Sequence, residues 1–185
     1  MRHPSPSRFE SGATLIEVLV AVLILSLGML SLSSMTALTV QMPKLSGYRA
    51  TAANIASSHI ERIRANRLGF AGGHYDTASS YDGTFNPIVA APPCDYPHCD
   101  VSSLAEMDDA TTKRAARVAL PAGGVLTTCD PRPCNATSMG NVWIVWQEPK
   151  TRAWLDPFSS DNCPPSVTAA YANPRPRCLY ARFKP

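Results

Sequence analysis

Gly12-Ala13-Thr14-Leu15-Ile16-Glu17-Val18 is the stretch that decides the fold, because it opens a long apolar run that extends to about Val40. The segment from Val18 to Pro43 contains no Asp, Glu, Lys or Arg. At about 1.5 Å of rise per residue, roughly twenty residues of helix cross a bilayer core of about 30 Å. The run is therefore predicted to be a membrane-spanning helix with one carboxylate, Glu17, at its front edge.

This run differs from the apolar core of an ordinary secretory signal peptide. Such a core has about 7–15 residues and is followed by a cleavage site of small residues. Here the apolar run is longer, and no small-x-small site follows it. Arg2 and Arg8 precede the run, and basic residues favour the cytoplasmic side of a membrane. We therefore expect the residues before the run in the cytoplasm and the residues after it in the periplasm.

The front edge of the run resembles the signal of type IV prepilins and pseudopilins. The family pattern is a short basic leader ending in Gly, a cut before the next residue, and a Glu at the fifth mature position. Here residues 1–12 match the leader, the implied cut lies between Gly12 and Ala13, and the acid is Glu17. The resemblance implies cleavage by a prepilin peptidase and N-methylation of Ala13, which stands where the family usually has Phe.

Two roles are open for Glu17. A carboxylate in the first turn is stabilised by the positive end of the helix dipole, by about 0.3–1 kcal/mol. The pilin resemblance implies a second role, because an ionisable group at the membrane edge is costly without a partner. In pilins that partner is the N-terminal amine of a neighbouring subunit, which exists only after cleavage. Glu17 would then act in assembly by setting the register in which the subunit enters the filament.

Composition limits the remaining function classes. The chain has 185 residues and a formal net charge of +3, which is too small to indicate nucleic-acid binding. The sequence contains no phosphate-binding loop, no His-Glu-x-x-His pair and no Gly-x-Ser-x-Gly elbow. We therefore predict no enzymatic activity, no catalytic residues, no cofactor and no metal. A membrane-anchored periplasmic enzyme is kept as the alternative from a different class.

The predicted domain organisation follows the apolar run. Residues 1–12 are the leader, 13–42 the transmembrane half of the first helix, 43–69 its amphipathic half, and 70–185 a periplasmic domain. Pro43 is expected to kink or loosen the helix because it removes a backbone donor.

The amphipathic half spans Gly47 to Leu68, with Gly69 as a plausible stop. Its predicted core-facing residues are Tyr48, Ala52, Ile55, Ala56, His59 and Ile63. His59 lies within this apolar stripe. It is therefore interpreted as a hydrogen-bonded core histidine in preference to a ligand.

The C-terminal part is predicted to be a small antiparallel sheet packed on the long helix. Residues 70–100 are expected to form an irregular surface loop, and Ser103-x-x-Glu106 predicts a capping box that starts a short helix from Leu104 to Val118. Predicted strands are Val125 to Cys129, Asn141 to Glu148 and Cys178 to Phe183. This order indicates an α+β fold, the lollipop that pilins share.

All six cysteines follow the apolar run: Cys94, Cys99, Cys129, Cys134, Cys163 and Cys178. An even number on one side of a membrane segment indicates disulfides in an oxidising compartment. We choose the local pairing Cys94–Cys99, Cys129–Cys134 and Cys163–Cys178. A zinc site built from Cys94, Cys99, His74 and His98 is an alternative with loose spacing, and a redox catalyst is a further one, although no Cys-x-x-Cys is present.

A narrower resemblance lies in the amphipathic half. Glu61-Arg62-Ile63-Arg64-Ala65-Asn66 resembles the Glu-Arg-(Met/Ile)-Arg-Ala-Asn signature of the PilV group of minor pilins, also called type IV pilus modification proteins. Leu120-Pro121-Ala122-Gly123 resembles the Leu-Pro-x-Gly element of that group.

This resemblance implies a minor pilin in the inner membrane and in the type IV pilus, supporting motility or adhesion. The implied partners are other minor pilins, the major pilin, the inner-membrane assembly machinery and a tip adhesin. A pseudopilin of a type II secretion system is the alternative within the same class.

Overall fold

The structure is a computed structural model that describes residues 12, 14–89, 94–95, 97–148, 161–171 and 175–185. Its helices are α1 (Leu15–Ala65), α2 (Arg67–Ala71), α3 (Val101–Ala119) and α4 (Pro165–Ala170), and its strands are β1 (Gly124–Asp130), β2 (Met139–Trp146) and β3 (Arg177–Phe183). A long N-terminal apolar helix is thus followed by shorter helices and a three-stranded antiparallel sheet, which confirms the predicted α+β class.

The chain divides into two compact units, Met1–Lys44 and Leu45–Pro185. Within the described residues, the first unit consists mainly of the apolar part of α1. Pro43 lies inside α1, which continues as helix on both sides of it. The kink expected at Pro43 stays a prediction.

The amphipathic half of α1 buries the predicted face. Ala52, Ala56, His59 and Ile63 are each at most 2% exposed, and Tyr48 and Ile55 are partly buried against the same core. Their spacing of three or four residues places them on one side of a helix. The predicted core stripe is therefore confirmed.

The end of α1 differs from the prediction. The helix ends at Ala65, and Asn66 leaves the helical conformation to accept a hydrogen bond from the Gly69 amide at 3.2 Å. Gly69 therefore lies inside α2 and does not terminate α1. An asparagine side chain can replace the backbone as a hydrogen-bond partner, which favours capping over helix continuation.

In the sheet, β2 lies between β1 and β3, and both pairings are antiparallel. Val142, Ile144 and Trp146 join the core that includes α1, whereas Val145 joins a second cluster with Val167 of α4. Alternate side chains of a strand point to opposite faces. Both faces of the central strand are therefore covered by apolar side chains.

Residues 70–100 are only partly the surface loop that was expected. Tyr75 and Tyr81 are 0% and 4% exposed and belong to the core. Residues 77–80 cover the outer edge of β1, where the Ser80 amide donates to the Val125 carbonyl at 3.0 Å and Thr77 forms an isolated bridge with Thr127. The segment lacks a regular repeat, yet its backbone hydrogen bonds to a strand.

Helix α3 begins earlier than predicted. Its N-cap is Asp100, whose carboxylate accepts a hydrogen bond from the Ser103 amide at 2.7 Å. This hydrogen bond is the main reason why the pKa of Asp100 falls to about 2. The predicted cap at Ser103 was wrong because Asp100, three residues upstream, offers an ionised acceptor to the same helix end.

A fully buried histidine connects three elements. In α1, His59 contacts Thr112 of α3 through Nδ1 at 2.9 Å and Thr127 of β1 through Nε2 at 3.0 Å. Because the Thr112 hydroxyl donates to the Asp108 carbonyl, it must accept from His59 Nδ1–H. His59 Nε2 then accepts from Thr127. The prediction of a hydrogen-bonded core histidine is confirmed.

Three disulfides join Cys94 to Cys99, Cys129 to Cys134 and Cys163 to Cys178. These are the three local pairs that were predicted from the sequence. The second bond joins the end of β1 to the connection between β1 and β2. The third attaches the segment before α4 to β3, across a separation of 15 residues.

The disulfide at β3 is expected to contribute most to stability. In the chain-entropy relation, a separation of 15 residues is worth about 3 kcal/mol and one of 5 residues about 2 kcal/mol. Replacing Cys163 and Cys178 with Ser should therefore increase protease cleavage within β3 more than replacing Cys94 and Cys99. Limited proteolysis of both double variants, with non-reducing peptide mapping of the wild type, tests this. Equal resistance of the two variants would contradict it.

Stability is expected to fall in mild acid because of His59. Burial, with smaller contributions from Arg62 and Lys113, lowers the pKa of His59 from 6.5 to about 4. Between these values the unfolded chain binds more protons. The contribution of neutral His59 to the free energy of unfolding is therefore complete above pH 6.5 and is lost as the pH falls toward 4. The loss is on the order of 3 kcal/mol.

Urea unfolding at pH 7.5 and at pH 4.5 measures this loss. His59→Gln should flatten the dependence, whereas His74→Gln, at an exposed site, should keep it. An unchanged pH dependence in His59→Gln would show that other groups cause it.

Candidate functional site at the start of α1

The first turn of α1 is formed around Thr14. The Thr14 carbonyl accepts hydrogen bonds from the amides of Glu17 at 3.0 Å and Val18 at 3.2 Å. Glu17 is thus in the first helical turn, and its side chain is exposed. Gly12 is also exposed, and nothing lies within 4 Å of a Cβ built on it. Ala13, the predicted methylation site and one side of the predicted cut, lies outside the described residues.

The segment Leu15–Thr36 is long and apolar enough to cross a membrane by length and composition. It has 22 residues with a mean hydropathy of 2.6, and none of it is buried within this chain. Large side chains such as Leu23, Ile24 and Leu30 are about 60% exposed or more. Apolar surface of this extent marks an interaction with lipid or with other chains.

The Ser and Thr hydroxyls between Ser26 and Thr39 are satisfied within the helix itself. The Ser26, Ser31 and Ser34 hydroxyls each donate to the carbonyl three residues earlier, at 2.8 Å. Ser33, Thr36 and Thr39 form similar bonds. An apolar environment requires that polar groups find partners inside the segment. The hydroxyls are therefore compatible with lipid or with packed neighbouring helices.

Glu17 is the one ionisable group between Gly12 and Pro43. No cation among the described residues forms an ion pair with it. The helix dipole favours a negative charge in the first turn, which agrees with the simpler of the two roles. An exposed carboxylate at the start of an uncharged segment is also accessible to a positive group from another chain.

The remaining predicted site residues are the six cysteines. They lie in the second unit and form three disulfides. A zinc site at Cys94 and Cys99 would need thiolates, and a disulfide does not provide them. Asp76 lies close to Cys129 and Cys134, with sulfur–oxygen distances of 3.8 and 3.9 Å. These sulfurs are bonded to each other as well, so this group also lacks thiolate ligands.

Sequence reasoning missed Arg117, which organises the segment after Ser79. Its side chain is 3% exposed, and its guanidinium donates to the carbonyls of Ser80, Thr84, Asn86 and Gly123 at 2.8–2.9 Å. It also forms an ion pair with Asp82 at 3.0 Å. A lone arginine in the last turn of a helix gives no sequence signal for this role, because most such residues are solvated.

Asp108 is a second residue that the sequence did not single out. Its carboxylate accepts a hydrogen bond from the Tyr75 hydroxyl at 2.8 Å and forms an ion pair with Arg62 at 3.4 Å. Burial raises the pKa of Tyr75, which stays protonated as a donor. Asp108 therefore connects α3 to α1 and to the segment that follows α2.

Comparison with known proteins identifies one motif. Residues 7–33 match the prokaryotic N-terminal methylation motif, which includes Gly12, Ala13, Glu17 and much of the apolar run. No curated protein and no solved structure matches the chain. Together with the α+β fold, the motif supports a type IV pilin-like protein, a structural and non-enzymatic class.

Proposed function

We propose that this chain is a minor pilin of the PilV type that takes part in assembling or initiating a type IV pilus. The observation that carries the proposal is the start of α1, where Gly12 precedes a long uncharged helix with Glu17 as its one carboxylate. In this proposal the protein supports pilus-dependent motility or adhesion.

The proposed sequence of events begins in the inner membrane. A prepilin peptidase removes residues 1–12, and the new N-terminus at Ala13 is methylated. Residues 13–42 hold the subunit in the bilayer, with residues 70–185 in the periplasm, where an oxidising environment favours disulfides. During assembly, neighbouring apolar helices replace lipid around α1, so the hydrophobic effect hardly changes.

Glu17 supplies the specificity that apolar packing lacks. An uncharged helix can slide along its neighbours at little cost, because one apolar contact replaces another. A carboxylate that pairs with the N-terminal amine of a neighbouring subunit is satisfied in one register only. A charge-assisted hydrogen bond of this kind is worth about 1.5–3 kcal/mol.

The PilV-like signature occupies a junction in this structure, which supports the subtype. Ile63 is fully buried, and Arg62 forms the ion pair with Asp108 of α3. Arg64 pairs with Glu61 at 2.7 Å and donates to the Lys184 carbonyl at 3.3 Å. The signature thus connects the end of α1 to α3 and to the C-terminal segment. The proposed partners are other minor pilins, the major pilin, the inner-membrane assembly machinery and a tip adhesin.

A pseudopilin of a type II secretion system is the second candidate, because the methylation motif fits prepilins and pseudopilins alike. Deletion of the gene distinguishes the two. Loss of surface pili with normal protein secretion favours the minor pilin, and the reverse result favours the pseudopilin.

Cleavage after Gly12 is the first expectation from this proposal. Intact-mass analysis of the protein from cells with an active prepilin peptidase should show loss of residues 1–12 and one added methyl group on Ala13. Gly12→Val should block the cut, because a branched side chain replaces the hydrogen at the cleavage position. Gly28→Val, inside the apolar run, should leave it intact. Full-length protein in the wild-type strain would refute the expected processing.

The second expectation concerns Glu17. Glu17→Gln and Glu17→Val should insert into the membrane normally, since insertion depends on the uncharged run. Their incorporation into pili should fall about tenfold or more, because a lost interaction of about 1.4 kcal/mol is worth a factor of ten. Ser26→Ala, farther along the helix, is the matched control.

Quantitative immunoblotting of sheared pili and of membrane fractions measures the effect. Wild-type incorporation of Glu17→Val would show that the carboxylate acts only on its own helix.

A further inference from the structure

A cavity of about 550 Å³ lies in the second unit. Segment 76–81, β1, the connection between β1 and β2, and α4 form its walls. Leu126, Val167 and Ala170 contribute apolar surface, and Asp76 and Arg132 contribute charge. Small-molecule sites are typically about 300–1,000 Å³ and combine apolar walls with a few polar groups. The volume of the cavity lies within that range.

Two tyrosines line this cavity with hydroxyls that are not hydrogen-bonded. Tyr81 and Tyr171 meet edge to face with ring centroids 5.0 Å apart. Tyr81 is only 4% exposed, yet within the described part of the chain neither tyrosine hydroxyl has a hydrogen-bond partner. Burial raises the pKa of Tyr81, so the group stays a donor.

The charges of the cavity cancel. Asp76 and Arg132 form an ion pair at 2.6 Å, and no other ionisable carboxylate or cation lines the described walls. An anionic ligand would compete with Asp76 for the guanidinium, and a cationic one would compete with Arg132. The hydrogen bond to Asp76 uses one of the five guanidinium N–H donors of Arg132. A neutral ligand can therefore use the remaining donors and acceptors without breaking the pair.

We propose that this cavity binds a neutral saccharide of one or two rings. A sugar ring has an apolar C–H face that packs on aliphatic and aromatic side chains, and its hydroxyls both donate and accept. Leu126, Val167 and Ala170 provide the apolar contact, and the tyrosine hydroxyls and the Asp76–Arg132 pair provide the polar partners. The inference goes beyond the proposed pilus function and does not depend on it.

The test uses the full-length protein in lipid nanodiscs, which avoids detergents with sugar headgroups. The probes are methyl β-D-glucopyranoside, methyl β-D-galactopyranoside, N-acetylglucosamine and lactose, followed by saturation-transfer NMR and calorimetry. At least one neutral probe should bind with a dissociation constant in the millimolar range or below. N-acetylneuraminic acid and glucosamine, as charged probes, should bind more weakly.

Two adjacent residues of α4 provide a matched pair of variants. Ala170 lines the cavity and Ala169 does not, although both are exposed. Ala170→Arg should weaken saccharide binding at least tenfold, and Ala169→Arg should change it less than twofold. Tyr81→Phe keeps the ring and removes the hydroxyl. It should weaken binding several-fold without lowering the melting temperature.

Three results would overturn the proposal: no neutral saccharide binds the wild type, Ala170→Arg binds as the wild type does, or only a charged probe binds. If Ala170→Arg fails to fold, Tyr81→Phe decides the question. Undiminished saccharide binding by Tyr81→Phe would then show that this cavity is not the site. Loss of pili with intact saccharide binding, or the reverse, separates this inference from the pilus proposal.

Discussion

The second unit depends on the two hydrogen bonds of a neutral, fully buried histidine. His59 donates to Thr112 and accepts from Thr127, so one side chain joins α1, α3 and β1 through two hydrogen bonds. The hydrogen bond from Thr127 requires the uncharged ring, whereas Nδ1–H can donate to Thr112 in either charge state. A protonated ring would have two donors and no acceptor, and Arg62 and Lys113 add unfavourable positive charge. The sheet is held to the helix by a group whose charge state is set by its burial.

Helix α1 has two parts that meet different environments. Up to Thr36 its exposed surface is apolar and its hydroxyls bond to its own backbone, whereas Ala52, Ala56 and Ile63 are buried against the core of the second unit. A helix that is apolar on all sides needs lipid or other helices around it, and an amphipathic helix needs one partner surface. In this pilin-like protein the two kinds of environment are divided along one helix.

The globular part compensates for its irregular chain with specific polar contacts. Arg117 holds four backbone carbonyls and Asp82, and Asp108 joins α3 to Tyr75 and Arg62. Three disulfides close the loops that have little regular structure of their own. Gly124 shows how close the packing is, because a Cβ there would lie 2.5 Å from the backbone of Tyr81. Such contacts fix the segment at the edge of β1, and with it one wall of the cavity.

Local patterns in the sequence determined the uncharged helix, the isolated Glu17, the core stripe of α1 and the three strands, because each follows from composition or from spacing along one element. Only the tertiary structure decided where α1 ends, which residue caps α3 and that Tyr81 lines a cavity. Those features depend on partners far away in the chain. Asn66 donates to the Val101 carbonyl 35 residues on, and His59 meets Thr127 68 residues on. Side chains that are equally polar in sequence become helix caps or core hydrogen-bond partners only when folding brings such partners within hydrogen-bond distance.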